Sequence, residues 1–189
     1  MLVNDGRFGF RDRAADLGLD VNNQRFSFAA AWEDFDQDGD PDLYVANDFG
    51  RNNLYRNDGG RFVDVAAQMG VEDISAGMGV SWADVNGDGW MDLHVANMFS
   101  SAGNRVTYQR EFLAGVGSDA ELAGYRRHAR GDSLFLNRSG VGFEDVSLEA
   151  GISVGRWAWG AIFMELNNDG LPDLFVPNGF VTNERSDDL

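Results

Sequence analysis

Three stretches of this chain place acids and amides at alternating positions just before a glycine. Residues 34–42 read Asp-Phe-Asp-Gln-Asp-Gly-Asp-Pro-Asp, residues 84–92 read Asp-Val-Asn-Gly-Asp-Gly-Trp-Met-Asp, and residues 165–173 read Glu-Leu-Asn-Asn-Asp-Gly-Leu-Pro-Asp. Short oxygen-bearing side chains stand at positions 1, 3, 5 and 9 of each stretch, and a glycine stands at position 6. A turn of this kind gathers oxygens inward, and glycine permits the bend. Hard oxygen ligands of mixed type suit calcium, which takes about 6–8 of them, better than magnesium, which demands strict octahedral geometry. The expected ligands are Asp34, Asp36, Asp38, the Asp40 carbonyl and Asp42 in the first loop. In the second they are Asp84, Asn86, Asp88, the Trp90 carbonyl and Asp92. In the third they are Glu165, Asn167, Asp169, the Leu171 carbonyl and Asp173. Up to three Ca2+ ions are therefore expected. The first loop has one more carboxylate than the others and should bind most tightly. The extra methylene of Glu165 weakens the case for its direct ligation.

Solvated turns rich in Asp and Gly are the competing reading. A net charge of −16 is often no more than an acidic surface. Three loops in matching frames argue against that reading, because carboxylates packed so closely repel unless a cation neutralises them. An EF-hand fails on spacing: the last acid falls at position 9 rather than 12, and strands rather than helices flank it. The negative charge excludes nucleic acid as a partner. There is no cysteine, so disulfides and thiolate metal sites are excluded. His94 and His128 stand apart in sequence, and no nucleophile–base motif, phosphate loop or dinucleotide fingerprint is present. No catalytic residue and no enzyme activity are expected.

The loops belong to a longer repeat. Residues 54–57, 134–137 and 1–4 align, as do 62–65, 143–146 and 10–13, and Gly70, Gly151 and Gly18 follow each of the latter. The spacing from Asp34 to Asp84 is 50 residues and from Asp84 to Glu165 is 81. Within one repeat, residues 53–57, 61–66, 78–84 and 93–97 read as strands, with an Asn-Asp-Gly-Gly turn between the first two. Residues 14–17, 66–69 and 148–150 each suit a single helical turn. The predicted fold is all-β: a partial β-propeller of about three four-stranded blades, with calcium-binding hairpin loops and a small helical insertion. The expected divisions are a first repeat over 1–50, a second over 51–97, the insertion over 98–131, and a third repeat over 132–189 that ends in an acidic tail. Within the insertion, 104–116 and 118–130 read as amphipathic helices, the second opened by a Ser118/Glu121 capping box. Its Arg105, Arg110, Arg126, Arg127 and Arg130 make it basic in an acidic chain. Those arginines either pair with nearby acids or contact an anionic ligand. Trp32, Trp82, Trp157 and Trp159 precede the loops and read as blade core. No apolar run is long enough to span a membrane.

The loop with its following Leu-Tyr-Val-Ala-Asn, together with Leu-Tyr-Arg-Asn-Asp-Gly and Phe-Val-Asp-Val-Ala, resembles the FG-GAP/VCBS repeat family. Within it, the chain looks most like the cartilage acidic protein and UnbV-type group. That resemblance implies a calcium-stabilised propeller, often of seven blades, in a secreted, cell-surface or periplasmic protein. It implies a structural, adhesion or ligand-binding scaffold for a protein or glycan, with the remaining blades in a longer chain. An accessory propeller of a secreted hydrolase or lyase is the alternative. The chain reads Val-Ala-Asn or Val-Pro-Asn where integrin propellers tend to Gly-Ala-Pro, so an integrin-like role is not implied.

Overall fold

The structure is a computed structural model, and it describes residues 1–177 and Gly179. Short β-strands dominate it. A hairpin of β1 (Leu2–Asn4) and β2 (Phe10–Asp12) leads through one helical turn, α1 (Ala14–Leu17), into the first large sheet. That sheet is an antiparallel meander of β3 (Ser27–Glu33), β4 (Asp42–Asn47), β5 (Asn53–Asn57) and β6 (Phe62–Asp64). A second helical turn, α2 (Ala66–Met69), follows. Both turns end at a glycine in the left-handed region, where a side chain would be strained. The second sheet runs β7 (Gly77–Ala83), β8 (Asp92–Asn97), β9 (Ser133–Asn137) and β10 (Phe143–Asp145) in the same meander order. A last hairpin pairs β11 (Ile162–Met164) with β12 (Asp173–Phe175).

The described residues thus form two complete four-stranded sheets and two two-stranded ones, where three complete sheets were expected. The reason lies in phase. The sequence repeat opens on the hairpin typified by β5–β6, whereas each sheet opens on the hairpin typified by β3–β4. Each complete sheet therefore takes its last two strands from the next repeat and crosses a repeat boundary. The acidic loops sit at the β3–β4, β7–β8 and β11–β12 turns, the same place each time.

The sheets stack side by side through their leading strands: β3 packs on β7, and β7 on β11. Phe35, Tyr44, Leu54, Val71, Leu93, Val95 and Phe135 are buried at this junction, with Trp82 and Phe143 against them. Each such side chain contributes about 1.5–3 kcal/mol by leaving water. Close approach of β7 to the next sheet depends on Gly79, where a Cβ would stand 2.7 Å from the Gly160 Cα. Of the four tryptophans that precede the loops, only Trp82 joins the core. Trp32, Trp157 and Trp159 remain 47%, 43% and 44% exposed.

The insertion leaves the second sheet between β8 and β9. It holds α3 (Ser101–Val106), α4 (Arg110–Leu113) and α5 (Asp119–Arg130). The single helix expected over 104–116 is broken because the Thr107 hydroxyl donates to the Asn104 carbonyl, and Tyr108 N turns back to Arg105 O. Ser118 does cap α5, accepting from Glu121 N at 3.1 Å. The carboxylate of Glu121 reaches one residue further back than a capping box requires, to Gly117 N. Residues 148–150 form part of a turn rather than a helix. Asn178 and the acidic tail lie outside the described residues.

Candidate metal centre

Each loop is folded by its own side chains accepting backbone N–H groups. The position-1 carboxylate takes the amides of positions 5 and 6. Asp34 accepts from Asp38 N and Gly39 N at 3.1 and 3.0 Å, and Asp84 from Asp88 N and Gly89 N at 3.0 and 2.8 Å. Glu165 does the same for Asp169 N and Gly170 N at 3.3 and 2.6 Å. Its longer side chain therefore keeps the Asp role. Desolvation would raise its pKa, but the loop amides together outweigh it and lower the pKa. The position-5 carboxylates of Asp38, Asp88 and Asp169 each accept the position-7 amide at 2.9 Å. The Asp40 side chain turns away to Gly59 N, so Asp40 keeps only its carbonyl for the loop.

Position 9 ties the loop to the sheet. Asp42 is buried; its Oδ2 accepts Phe35 N at 3.2 Å and its Oδ1 accepts Asn57 N from β5 at 2.8 Å. Asp92 repeats this with Val85 N and with Asn137 N from β9, at 3.0 and 2.8 Å. Asp173 accepts Leu166 N at 3.1 Å. Burial pushes the Asp42 carboxyl up to about 7, and neighbouring Asp36 and Asp38 add to that against the two amides. Burial also raises Asp92.

Position 3 separates the loops. In loops two and three it is Asn, and its Nδ2 donates to the position-5 carboxylate at 3.0 Å: Asn86 to Asp88, and Asn167 to Asp169. In loop one it is Asp36, which has no proton to donate to Asp38. Its Oδ1 is buried and has no hydrogen-bond partner, and its pKa is raised by desolvation and by Asp38. One carboxylate oxygen from each of Asp34, Asp36 and Asp42 lies within 4.8 Å of the others. Three clustered carboxylates, one of which also carries a buried oxygen without a hydrogen-bond partner, suit a hard dication.

The insertion arginines divide into two groups. Arg127 bonds Asp73 at 2.9 Å and Asp145 at 2.6 Å, and Arg130 bonds Asp145 at 3.0 Å. Arg126 stacks on the Tyr108 ring at 4.1 Å. Arg105 and Arg110 are exposed and form no ion pair with a described residue. Burial would raise the Asp145 carboxyl, but the Ser147 hydroxyl, Arg127 and Arg130 outweigh it and hold the group at about 2. Because the folded pKa lies below the unfolded value, this stabilisation is complete above about pH 4 and is lost as the pH falls toward 2. Asp145→Asn should cost about 2 kcal/mol in urea unfolding at pH 7 and almost nothing at pH 2.

A buried pair went unread in the sequence. His94 and Asp132 are both fully buried, with Nε2 and Oδ2 3.6 Å apart. They occupy the places of Tyr44 and Asn52 in the first sheet, where Asn52 Nδ2 donates to the Tyr44 hydroxyl at 3.1 Å. Asp132 and Asn52 also play one backbone role, accepting Asn97 N and Asn47 N at 2.8 Å. The alignment of 134–137 with 54–57, carried two residues further upstream, pairs Asp132 with Asn52.

Residues 34–95 match a family model described as an FG-GAP-like repeat. This stretch carries an FG-GAP-like repeat. It contains the first two acidic loops and the strands between them. No curated protein matches the chain.

Proposed function

We propose that the chain is a calcium-stabilised segment of a β-propeller, acting as a non-catalytic binding or adhesion scaffold outside the cytoplasm, on the cell surface or in the periplasm. The observation that carries this reading is the clustering of the Asp34, Asp36 and Asp42 carboxylates, with Asp36 Oδ1 buried and unpartnered. Calcium bound there would be held by these carboxylates with Asp38 and the Asp40 carbonyl. It would supply the positive charge that loop one lacks. Loops two and three, with one carboxylate fewer each, are weaker sites of the same kind. Side-by-side stacking of meander sheets with every loop at one turn supports a propeller. The FG-GAP-like repeat supports a scaffold role, and loops of this class with millimolar affinity suit the calcium of extracellular fluids. His94 and Asp132 are sealed in the core, so their pairing offers no surface for catalysis. Arg105 and Arg110 are the insertion residues open to an anionic group on a protein or glycan partner. No helix among the described residues is long and apolar enough to cross a membrane.

Isothermal titration with calcium tests the reading directly, and absence of binding at millimolar calcium overturns it. The pH dependence is also defined. With Asp42 held near 7 in the metal-free chain, a proton competes with calcium around neutrality. Apparent affinity should therefore fall several-fold between pH 8 and pH 6, although an ordinary aspartate is fully ionised throughout that range.

A further inference from the structure

The loop after β4 and the last helix of the insertion face each other across a cleft of about 610 Å³. That size lies within the roughly 300–1,000 Å³ of small-molecule sites. The acidic loops lead into β4 and β8, whereas the β4–β5 loop and the insertion follow those strands. The cleft therefore lies at the opposite end of the sheets from the acidic loops. Phe49 and Arg51 form one wall, and an isolated β-bridge ties Arg51 to Ile74 beside them. The other wall is one face of α5: Glu121, Gly124, Tyr125 and His128 follow at the three- and four-residue steps that line up on a helix.

Gly124 leaves the gap, since a Cβ built there meets nothing within 4 Å. The rings beside it are engaged elsewhere. Phe49 stacks on His128 with centroids 6.3 Å apart, and Tyr125 meets Phe112 edge-on at 5.3 Å. Phe49 and Tyr125 stay 57% and 46% exposed. The helix is fastened to the sheets, because Arg127 bonds Asp73 and Asp145 and the Ser75 hydroxyl donates to the His128 carbonyl at 3.3 Å. The cleft is thus preformed. Its charges do not balance. Arg51 is neutralised by Glu72, 2.5 Å away. Glu121 has no cationic partner among the described residues; its oxygens accept from the Tyr125 hydroxyl at 3.3 Å and from Gly117 N at 2.9 Å. The result is an aromatic, apolar site with one unbalanced negative charge, and such a site attracts a cation through the ring faces and the carboxylate. It is poor in acceptors, because its one unpaired carboxylate already holds two donors. An ammonium or guanidinium with N–H groups would lose water that the cleft does not replace. A trimethylammonium group carries no N–H, and its methyl groups suit aromatic walls.

We propose that this cleft binds a small quaternary-ammonium solute of the choline type, with the cation between Phe49 and Tyr125 and beside Glu121. The proposal rests on the binding-scaffold reading for its role and on none of the calcium sites.

The test follows backbone amide resonances of the 189-residue chain during titration with choline chloride, in chelator and again in calcium, at constant ionic strength set by sodium chloride. Saturable shifts are expected at 49–51 and 120–128, with a dissociation constant on the order of 1 mM. The neutral isostere 3,3-dimethyl-1-butanol has the same shape and should bind about 3–30-fold more weakly. Ethanolamine, whose ammonium carries N–H groups, should also bind more weakly than choline. Glu121→Gln keeps an oxygen for the Gly117 amide. It should lower the choline affinity to that of the isostere and leave the isostere unchanged. Gly124→Phe fills the cleft at a position where a Cβ meets nothing, and it replaces a poor helix former. It should abolish the shifts from both ligands with no loss of melting temperature. No saturable shift by about 50 mM choline overturns the proposal. So does an isostere or ethanolamine that binds as tightly as choline, a Glu121→Gln chain that still prefers choline to the isostere, or a folded Gly124→Phe chain that binds choline as the parent does. A failed calcium titration beside a saturable choline shift removes the metal reading and leaves this one standing.

Discussion

Asp36→Asn will act in opposite directions on two quantities: it raises the melting temperature in chelator and cuts the further rise that about 10 mM calcium gives. The first half follows from loop two, where Asn86 in the same position donates to Asp88 at 3.0 Å. In the parent, Asp36 faces Asp38 as a like charge, with its Oδ1 buried and unpartnered. Replacing that carboxylate by an amide removes the repulsion and adds one hydrogen bond to a charged group. The gain is about 1 kcal/mol, or about 2–4 °C for a chain of this size. The second half follows from the donor count. A site of this class with a dissociation constant of about 10⁻⁴–10⁻³ M stabilises by about 1.4–2.7 kcal/mol at that calcium concentration. The parent should then gain about 3–10 °C from loop one alone. The variant lowers loop one to the three carboxylates of loop two and should keep less than half of that gain. Differential scanning calorimetry with chelator, calcium or magnesium reads all of this. If Asp36 were only a solvated turn residue, the variant would shift both melting temperatures equally.

The loops were legible because their pattern is local. Oxygens alternate around one glycine, and the structure folds each loop with side chains and amides no more than eight residues apart. The strands were legible for the same reason, to within a residue or two at most ends. What stayed hidden depends on contacts distant in sequence. The phase of the sheets is set by pairing of β4 with β5 and of β8 with β9, and the second pairing spans the whole insertion. A repeat can be cut at any point in sequence without changing its period, so periodicity alone cannot place the sheet boundary. His94 and Asp132 were hidden for a related reason, since 38 residues separate them in the chain. The insertion arginines illustrate a further limit. Composition showed a basic segment, but only packing separates Arg127 and Arg130, bound to Asp73 and Asp145, from the exposed Arg105 and Arg110. The break between α3 and α4 came from one hydroxyl, Thr107, competing for a carbonyl that helix periodicity assigns to the backbone.

Asp42→Ala will destabilise the chain by about 2–4 kcal/mol in chelator at pH 5, far more than removal of a solvated loop acid would. The carboxylate holds two amides, Phe35 N and Asn57 N, and both residues are buried. Alanine leaves those donors without acceptors where water cannot replace them. The cost depends on pH with a definite sign. Burial raises the folded pKa of Asp42 to about 7, above its unfolded value, so its contribution is greatest when it is protonated and declines as the pH rises through 7. In chelator the difference between parent and variant should therefore shrink between pH 5 and pH 8. Calcium should restore it at pH 8, because a bound cation offsets the buried charge. Asp92→Ala should behave in the same way, since Asp92 holds Val85 N and Asn137 N. Asp173→Ala is the control within the same chain. Asp173 holds one amide of a described residue, Leu166 N, and Leu166 is 56% exposed. Its loss should cost less than about 1 kcal/mol. Equal costs at all three positions would contradict the division of labour assigned to position 9, in which one carboxylate both faces the cation and fastens its loop to the next strand.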